Sequence, residues 1–525
     1  MSHSFIHIGE MLARNGRMVA EEIALVERNP ADGLRREISW QEFDRLVNCF
    51  ANFLLERGIG KGDRVVHLMH NSIDWLIAYF GIIRTGAWVV PLNFRFTSED
   101  IRYCTEVAEP QAFLFGEEFI DRIDPLWKSI KTAETFIAAG EAVPTYAVSL
   151  GEALRQGSPE PFLPDIGPED PCGLYFTSGT TGRPKPILLA HQNLACAAVT
   201  EKVHHGQRKE DNFILIPPLY HTGAMMHWLG SLIVGSRAVI LKGVTPQWIL
   251  EAMSQEQGTI LWLLVPWALD ILVELDSGKL KLDDYDLSSW RLMHMGAMPI
   301  PPSLVDRWRA YFPAMQYNTT YGLSEATGPN CFQLGIENTH KVGAIGRAGF
   351  NWEMRIVDDH GKEVAPGKVG ELTVRGGGVM KEYYRNPEAT AQALRDGWLF
   401  TGDMARQDED GFVFLVDRKK DVIICGGENV FPVEVENHLH THPQVKDAAV
   451  IGVPDERLGE IVAAVIELIP DGHLSEEEVL AFCGPLPRYK RPRKIFFWEI
   501  PRNPTGKVLK TVLRERYVKM TISRL

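Results

Sequence analysis

Short apolar runs alternate with amphipathic stretches through most of this chain. RVVHLMH (64–70) has the pattern of a strand, SIDWLIAYFGIIRTG (72–86) has helical spacing with Ser72 as N-cap, and AWVVPLN (87–93) is apolar again. TILWLLVP (259–266) continues the alternation. Because strands that alternate with helices build βαβ units, the pattern predicts an α/β fold in which mostly parallel sheets are covered by helices.

The pattern of apolar and polar residues changes after about Gly361. The stretch GFVFLVDRKKDVIICGG (411–427) has short strands with glycine turns, and the runs at 448–455 and 461–470 also have the pattern of strands. A small capped helix is predicted at 475–483. These short strands and the small helix predict an α+β domain of roughly 100 residues after a large α/β body.

The junction between the two predicted domains is placed in the charged string DRKKD, Asp417 to Asp421. A charge run is usually a solvated turn, and at a junction it can also be a hinge. A chain of 525 residues exceeds what one core supports, since single cores stop growing beyond ~250–300 residues. We therefore predict an N-terminal body at residues 1–418 and a C-terminal domain at 419–525.

Composition narrows the class of protein. The chain is 45% hydrophobic and 23% charged, as globular proteins are, and its net charge of −13 disfavours a nucleic-acid partner. Seven cysteines without a C-x-x-C pair indicate free thiols and a reducing compartment, which predicts the cytoplasm. The final tripeptide SRL resembles a peroxisomal address, but a chance tripeptide is the favoured interpretation.

Membrane insertion is not expected. The N-terminus has no continuous apolar stretch and no cleavage signal. The most apolar stretch, TILWLLVPWALDIL, is shorter than a membrane span and contains Pro266 and Asp270. It predicts a core strand followed by a helix.

A polar loop that is predicted to be flexible, SGTTGRPKP (178–186), follows the predicted strand PCGLYFT (171–177). Glycine N–H groups, hydroxyls and a lysine are what a polyphosphate needs, although a polar surface loop is the simpler alternative. The spacing is not that of a Walker loop, because Lys185 does not directly follow Gly182. Pro186 fixes φ and removes a donor just after the lysine.

Three further fragments carry polar groups at turns. GLSEA (322–326) nearly matches the hydrolase nucleophile elbow, but Ala326 replaces its last glycine, which weakens a serine-nucleophile interpretation. Asp403 follows a glycine turn, where its carboxylate could hold a ribose diol or bond its own backbone. Lys507 lies on a turn before the last predicted helix, and a lone lysine is usually just exposed.

Six fragments together carry a resemblance. They follow one another in the order YFTSGTTGRPK, YGLSEATG, GELTVRGGGVMKEYY, GWLFTGDMA, VDRKKDVIICGGENVFPVEVE and PTGKVLK. In this order they resemble the adenylate-forming superfamily of acyl-CoA synthetases, aryl-CoA ligases, luciferases and peptide-synthetase adenylation domains, from about Trp40 to Lys510. The resemblance implies an N-terminal body that includes a distorted barrel and a small mobile C-terminal domain. It also implies formation of an acyl-AMP from a carboxylic acid and ATP, followed by transfer of the acyl group to a thiol.

The resemblance implies a set of residues for ATP and AMP, which would bind phosphates, adenine and ribose. They are Thr177, Ser178, Gly179, Thr180, Thr181, Gly182, Lys185, Gly296, Ala297, Met298, Tyr321, Gly322, Ser324, Asp403 and Arg418. Glu325 would bind Mg²⁺, a hard ion that favours carboxylate and phosphate oxygens. The implied cofactors are ATP, Mg²⁺ and coenzyme A.

Other residues are implied for the chemistry and its conformational change. Lys507 would bridge the substrate carboxylate and the α-phosphate, where a cation offsets the repulsion of two anions. Lys420 would be the hinge about which the small domain rotates before the second step. Gly426 and Gly427 would line the pantetheine tunnel, where a side chain would block the thiol.

The acyl site is expected around His221, which would gate access of the carboxylate and the thiol, although a lone histidine is equally well a core residue. The motif offers no acid at this point to hold an α-amino group, so the resemblance favours a simple organic acid over an amino acid. Bulky and adaptable side chains nearby predict a medium-chain, cyclic or aryl acid. The residues predicted to line the acyl pocket are Met225, Trp228, Trp267 and Thr319.

Several alternatives stay open at this point. The acceptor of the acyl group could be a carrier protein instead of CoA, and a catalytically silent nucleotide-binding protein is a third hypothesis. Retention of Lys507, Glu325 and Asp403 together argues against the silent protein. The histidines of HLHTH (438–442) lack a third protein ligand for a metal, and the basic string at 488–494 is either a solvated face or a clamp for the CoA phosphates. A homo-oligomer is left open.

Overall fold

The computed structural model describes residues 7–162, 165–177, 184–296, 300, 302–334, 336–341, 343–469, 472–502 and 508–522. The strands are β1 Ile23–Asn29, β2 Leu34–Ser39, β3 Arg64–Leu68, β4 Trp88–Pro91, β5 Ala112–Gly116, β6 Thr135–Ala139, β7 Val148–Ser149, β8 Pro171–Thr177, β9 Lys185–Ala190, β10 Asn212–Leu215, β11 Arg237–Leu241, β12 Ile260–Leu264, β13 Leu292–Gly296, β14 Gln316–Leu323, β15 Gly328–Leu334, β16 Arg347–Ala348, β17 Trp352–Val357, β18 Val369–Gly376, β19 Glu382–Tyr383, β20 Leu394–Arg395, β21 Trp398–Gln407, β22 Val413–Arg418, β23 Ile423–Cys425, β24 Glu428–Val430, β25 Val445–Asp455, β26 Gly459–Leu468 and β27 Lys494–Phe497.

The helices are α1 Ile8–Met18, α2 Trp40–Glu56, α3 Ile73–Arg84, α4 Ser98–Ala108, α5 Ile120–Ile123, α6 Leu150–Gln156, α7 His191–His204, α8 Thr222–Val234, α9 Pro246–Gln255, α10 Val265–Asp276, α11 Pro302–Tyr311, α12 Pro387–Ala393, α13 Pro432–His440, α14 Glu476–Phe482 and α15 Lys510–Ile522.

Two large sheets form the first part of the molecule. The first has the order β16-β15-β14-β13-β12-β10-β11-β1-β2, and its strands from β14 to β1 are parallel to one another. The second has the order β19-β9-β8-β4-β3-β5-β6-β7, and its strands from β8 to β7 are parallel. The predicted α/β class with mostly parallel, helix-covered sheets is confirmed.

Helix α3 shows how the sequence specifies this architecture. The Ser72 hydroxyl accepts a hydrogen bond from the Trp75 N–H at 2.9 Å, so the predicted N-cap is confirmed. The helix is apolar on all sides and is almost wholly buried, as a helix between packed layers must be. Its buried Arg84 pairs with Asp44 at 2.7 Å, which satisfies the one charge near its end.

The later strands form two smaller sheets. The third sheet has the order β17-β18-β21-β20, with β22 paired to β21, and the fourth has the order β24-β23-β26-β25, with β27 paired to β26. Both faces of the fourth sheet are apolar, with Val450 in the cluster on one face and Ile451 in the cluster on the other. The capped helix predicted at 475–483 is confirmed as α14, where Ser475 and Glu478 form a capping box.

The chain divides into two compact units. The first comprises the described residues within Met1–Thr177, Pro184–Met354 and Val374–Leu399, and the second those within Arg355–Thr373 and Phe400–Leu525. The boundary predicted between residues 418 and 419 marks the segment that would rotate during catalysis. The division into compact units does not test a rotation, so this boundary stays a prediction. Among the described residues, no helix is both long and apolar enough to cross a bilayer.

Candidate active site

A carboxylate, a phenol and a cation lie together at the end of β14 in the first unit. Glu325 is the second residue after β14, and the Tyr383 hydroxyl donates a hydrogen bond to its Oε1 at 2.8 Å. The Lys185 ammonium lies 5.1 Å from the centre of the Tyr383 ring. Tyr383 therefore joins two residues that the sequence predicted for the phosphate end of ATP. We call these three residues the phosphate cluster.

The backbone around Glu325 is held from several directions. The Met380 N–H donates to the Glu325 carbonyl at 2.8 Å. The chain then turns through Thr327, a non-glycine residue at φ 58°, whose hydroxyl donates to the Gly378 carbonyl at 2.6 Å. A left-handed residue is strained unless its surroundings fix it, and here its hydroxyl is bonded in the core. The segment that carries Tyr383 thus fixes the turn that carries Glu325.

Gly322, one of the predicted nucleotide residues, lies on β14 opposite Pro329 of the antiparallel strand β15, next to a shift in the register of the ladder. A Cβ at this position would lie 2.2 Å from the Gly328 carbonyl oxygen. No flexible side chain can relieve that overlap, since the obstructing atoms are backbone. Glycine is therefore required for the path of the chain into Ser324 and Glu325.

Ser324 meets the first turn of α8. The Thr222 hydroxyl donates to Ser324 Oγ at 3.2 Å, and Thr222 is the first residue of α8. The N-cap, His221, makes no capping bond with its side chain. The first N–H groups of a helix and its dipole favour an anion, so this junction suits a phosphate or a carboxylate.

His221 is half-buried beside the ring of Tyr220, with 4.3 Å between the ring centres. Burial, with the positive charge of Arg95 as a smaller cause, lowers the pKa of His221 to about 4. The imidazole is therefore neutral at physiological pH, and it can take part in a hydrogen bond without adding charge.

Strand β8 precedes the segment predicted to be the phosphate loop, and strand β9 follows it. Thr177 and Lys185 are direct partners in the ladder, and the Thr177 hydroxyl donates to the Lys185 carbonyl at 3.4 Å. Pro186 accepts a hydrogen bond from the Tyr384 N–H at 2.9 Å through its carbonyl. The structure thus uses the acceptor that proline keeps and needs no N–H from it.

The predicted ribose residues are brought together in the second unit. Asp403 on β21 and Arg418 on β22 are direct partners in the ladder, and their side chains form an ion pair at 2.7 Å. Asp403 is buried and follows Gly402, whose φ of 73° makes the turn and whose N–H donates to Glu371 at 3.1 Å. An oriented carboxylate with an adjacent guanidinium stays ionised and can accept hydrogen bonds from two hydroxyl groups.

Lys420 lies in a short 3₁₀ turn, Lys419–Asp421, directly after β22. The Lys419 ammonium pairs with Asp359 at 2.8 Å and with Glu371 at 3.0 Å. Asp421 pairs with Arg514 at 2.9 Å. Ion pairs therefore hold both neighbours of the predicted hinge, whose own role stays a prediction.

Gly426 and Gly427 form the two-residue turn between β23 and β24. Their φ values are 61° and 88°, and Cys425 and Glu428 pair across the turn. Two successive positive φ values are the requirement of a type I′ hairpin, which glycine meets best. The structure therefore gives a backbone reason for both glycines, while their tunnel role stays a prediction.

The residues predicted for the acyl pocket lie in different surroundings. Met225 and Trp228 are fully buried, and Trp228 makes an edge contact with Phe80 at 6.1 Å between ring centres. Thr319 is buried, whereas Trp267 is half-buried on α10. Their roles stay predictions.

The structure describes only some of the residues predicted to contact adenine. Tyr321 is buried on β14, and Gly296 ends β13, where a Cβ would lie 3.5 Å from Thr320 Oγ1. The remaining predicted residues lie outside the described part of the chain. They are Ser178, Gly179, Thr180, Thr181, Gly182, Ala297, Met298 and Lys507.

Two motifs that could suggest other sites have local partners. His438 contacts the Phe482 carbonyl at 3.0 Å and His440 contacts Asp447 at 3.1 Å, so these histidines do not converge. Within the described residues, no group of three histidine, cysteine or acidic side chains could hold a metal ion. In the basic string, Lys490 pairs with Glu434.

Sequence reasoning missed one residue and one group of residues. Tyr383 lay inside the motif MKEYY but received no role, and only its contact with Glu325 reveals one. A buried group of three histidines and a glutamate next to α8 gave no sequence signal, because its members lie far apart in the chain.

Comparison with known proteins gives concordant matches over nearly the whole chain. The family described as AMP-binding enzyme matches residues 12–384, and the AMP-binding enzyme C-terminal domain matches residues 434–507. A long-chain-fatty-acid–CoA ligase of Mycobacterium tuberculosis is 32% identical, over 97% of this chain and 98% of the relative. An indoleacetate–CoA ligase of Aromatoleum aromaticum is 33% identical, over 93% and 94%. The crystal structure of ATP-bound MatB from Rhodopseudomonas palustris superposes with a TM-score of 0.86 at 30% identity, covering 98% of this chain and 99% of that one.

Proposed function

This chain belongs to the AMP-binding enzyme family, the adenylate-forming enzymes, and from that membership we propose that it is an acyl-CoA synthetase. It activates a medium-chain, cyclic or aryl carboxylic acid with ATP and passes the acyl group to coenzyme A. Two of the relatives reported above are named as CoA ligases for a long-chain fatty acid and for indoleacetate, which supports a fatty or aryl acid.

The observation that carries the proposal is the phosphate cluster of Lys185, Tyr383 and Glu325 beside the first turn of α8. Tyr383 contacts both the Lys185 ammonium and the Glu325 carboxylate. Each of these two charged groups can still bind a ligand. Polyphosphate needs the cation, and the divalent ion that accompanies it needs the carboxylate.

In the first step, a carboxylate oxygen of the acid attacks the α-phosphorus of ATP, and the bond from that phosphorus to the bridging oxygen of pyrophosphate breaks. Lys185 binds the departing phosphates, while the Ser324 hydroxyl and the α8 N-terminus hold the α-phosphate. Asp403 and Arg418 hold the ribose. Lys507 is the predicted bridge between the two reacting anions.

In the second step, the sulfur of CoA attacks the acyl carbon, the bond from that carbon to the phosphate oxygen breaks, and AMP leaves. The thiol proton passes to solvent. His221, neutral because its pKa is about 4, lies beside α8, where it can orient either the carboxylate or the thiol without repelling a cation. Lys420 is the proposed hinge of the change between the two steps.

The residues present fit Mg²⁺, because that ion uses one or two carboxylates and completes its shell with phosphate oxygens and water. Glu325 would hold it, oriented by Tyr383, and the ion would neutralise phosphate charge when bound.

We also propose the cytoplasm as the location. The seven cysteines, all within the described residues, are free, which supports a reducing compartment.

The test is pyrophosphate release over a panel of medium-chain, cyclic and aryl acids, followed by detection of the thioester by mass spectrometry. We expect release that depends on both ATP and an acid. Glu325→Gln serves as the impaired control. Absence of release with every acid would refute the function, and a thioester formed on acyl-carrier protein but not on CoA would assign the acceptor to the carrier.

A further inference from the structure

A buried carboxylate lies beside the two residues proposed to hold the ribose. Glu371 is the third residue of β18, in the third sheet, and it is only 8% exposed. A buried carboxylate is costly unless it is paired and hydrogen-bonded. The partners of Glu371 are therefore the evidence for its role.

Each oxygen of the Glu371 carboxylate has its own partner. Oε1 accepts a hydrogen bond from the Gly402 N–H at 3.1 Å, and Oε2 accepts one from the Lys419 ammonium at 3.0 Å. Gly402 is the residue before Asp403, and Lys419 is the residue after Arg418. One carboxylate therefore holds a chain neighbour of each residue in the Asp403–Arg418 ion pair.

The first contact fixes the backbone that leads into Asp403, and we call residues 401–403 the ribose segment. Gly402 has a φ of 73°. Glycine has the freest backbone of any residue, so a bond to its N–H restricts the segment where the chain is otherwise least constrained. The Thr401 hydroxyl donates to the Leu372 carbonyl at 2.7 Å and accepts a hydrogen bond from the Asp403 N–H at 3.1 Å. The ribose segment is thus tied to β18 by the Glu371 side chain and by the backbone of the next residue.

The second contact fixes the chain just after Arg418. The Lys419 ammonium also pairs with Asp359 at 2.8 Å, so it lies between two carboxylates. The side chain of Asp359 is 86% exposed, whereas Glu371 is buried. Exposed ion pairs contribute little, because water and salt screen them. The contact with Glu371 is therefore the one that determines the position of Lys419.

The ribose site needs this precision. Asp403 must direct its carboxylate at two hydroxyl groups while Arg418 pairs with it at 2.7 Å. Hydrogen bonds weaken steeply when their distances and angles depart from the optimum, and binding groups must be held to within about 0.5 Å. A change in the backbone at either residue therefore weakens the bonds to the ribose.

We propose that Glu371 is a positioning residue for the ribose site, which holds the ribose segment and Lys419 together and thereby sets the discrimination between ribonucleotides and deoxyribonucleotides. The inference rests on the function proposed above, in which Asp403 and Arg418 hold the ribose. Glu371 acts through these two residues and does not itself bind the nucleotide.

The test measures the affinities for ATP, 2′-deoxyATP and 3′-deoxyATP by isothermal titration calorimetry in the presence of Mg²⁺ and without an acid. We expect the wild type to bind ATP roughly 10- to 100-fold more tightly than either deoxynucleotide, because a missing hydroxyl leaves Asp403 without one hydrogen bond. In Glu371→Gln this ratio should fall by about 3- to 10-fold. The amide keeps the shape of the side chain, but its one oxygen cannot accept from both Gly402 and Lys419.

Asp359→Asn is the matched control. It removes the same charge from the same lysine and leaves Glu371 with both of its partners, so the ratio should stay within about twofold of the wild type. Lys419→Met removes the second contact of Glu371 and should also lower the ratio, which gives the test a second variant if Glu371→Gln does not fold. A merely structural role would lower the melting temperature and weaken the binding of all three nucleotides equally.

An unchanged ratio in a folded Glu371→Gln enzyme, or in Lys419→Met where Glu371→Gln does not fold, would overturn the inference. An equal fall in Asp359→Asn would do the same, since the effect would then belong to the charge around Lys419 and not to Glu371. A wild type that binds the three nucleotides equally would overturn it together with the ribose assignment. Acid activation is judged separately: the absence of pyrophosphate release with every acid would refute that function and leave the binding ratios readable.

Discussion

Replacing Tyr383 by phenylalanine removes one hydroxyl from the phosphate cluster and leaves the ring in place. That hydroxyl donates to Glu325 Oε1 at 2.8 Å, while the ring face lies 5.1 Å from the Lys185 ammonium. The change therefore isolates the orientation of the carboxylate from the placement of the cation. We expect weaker use of MgATP and little change in the affinity for the acid.

The size of the effect follows from the type of bond. A hydrogen bond to a charged group contributes about 1.5–3 kcal/mol, which corresponds to roughly 10- to 150-fold in rate. Glu325 is only half-buried, so water can replace part of the lost bond, and we expect about a tenfold loss in kcat/KM for MgATP. Tyr383→Leu also removes the ring beneath Lys185, which costs about 0.5–1 kcal/mol more, or roughly 2- to 5-fold.

The assay is the initial rate of pyrophosphate release at varied MgATP and saturating acid, with melting temperatures to show that each variant is folded. Tyr384→Phe is the matched control, since the neighbouring ring packs against Trp88 at 5.7 Å and does not take part in the cluster. The reasoning fails if Tyr383→Phe keeps its kcat/KM for MgATP within about twofold, or if Tyr384→Phe loses as much.

Three further predictions address the chemistry, the hinge and the pH dependence. Lys507→Ala should lose acyl-AMP formation by on the order of 100-fold or more and largely keep thioester formation from supplied acyl-AMP, so an equal loss of both would contradict the assignment. Lys420→Pro should spare acyl-AMP formation and stop thioester formation, and normal overall turnover would exclude the hinge. Burial raises the pKa of Asp417 to about 6, so the stability that this carboxyl contributes is fully present below its unfolded pKa near 4 and is lost as pH rises through 6. Relative to Asp417→Asn, the wild-type free energy of unfolding should fall by up to about 3 kcal/mol over that window, measured by denaturant titration, and parallel pH profiles would refute this.

The sequence was sufficient where one local pattern determines the structure. Helix α3 could be predicted because its cap and its apolar residues lie within fifteen positions of one another. Asp403 and Arg418 could be paired through the family resemblance, and the antiparallel ladder of β21 and β22 then brought their side chains together.

The rest depended on contacts between distant parts of the chain. Tyr383 meets a carboxylate 58 residues away, and no periodicity in the sequence reports such a contact. The buried group of Glu201, His205, His227 and His294 brings together distant parts of the chain, and each of its histidines taken alone looks like an ordinary core residue. Gly426 and Gly427 were assigned to a tunnel, whereas the structure shows that the tight turn by itself requires them.

The close backbone contact at Gly322 limits what natural variation or engineering can change in this enzyme. A Cβ at position 322 would lie 2.2 Å from the carbonyl oxygen of Gly328, so the path of the chain into Ser324 and Glu325 requires glycine here. The nucleotide end therefore tolerates no side chain at this position. Changes that alter how the nucleotide is held must therefore come from side chains such as Tyr383 and leave position 322 as it is.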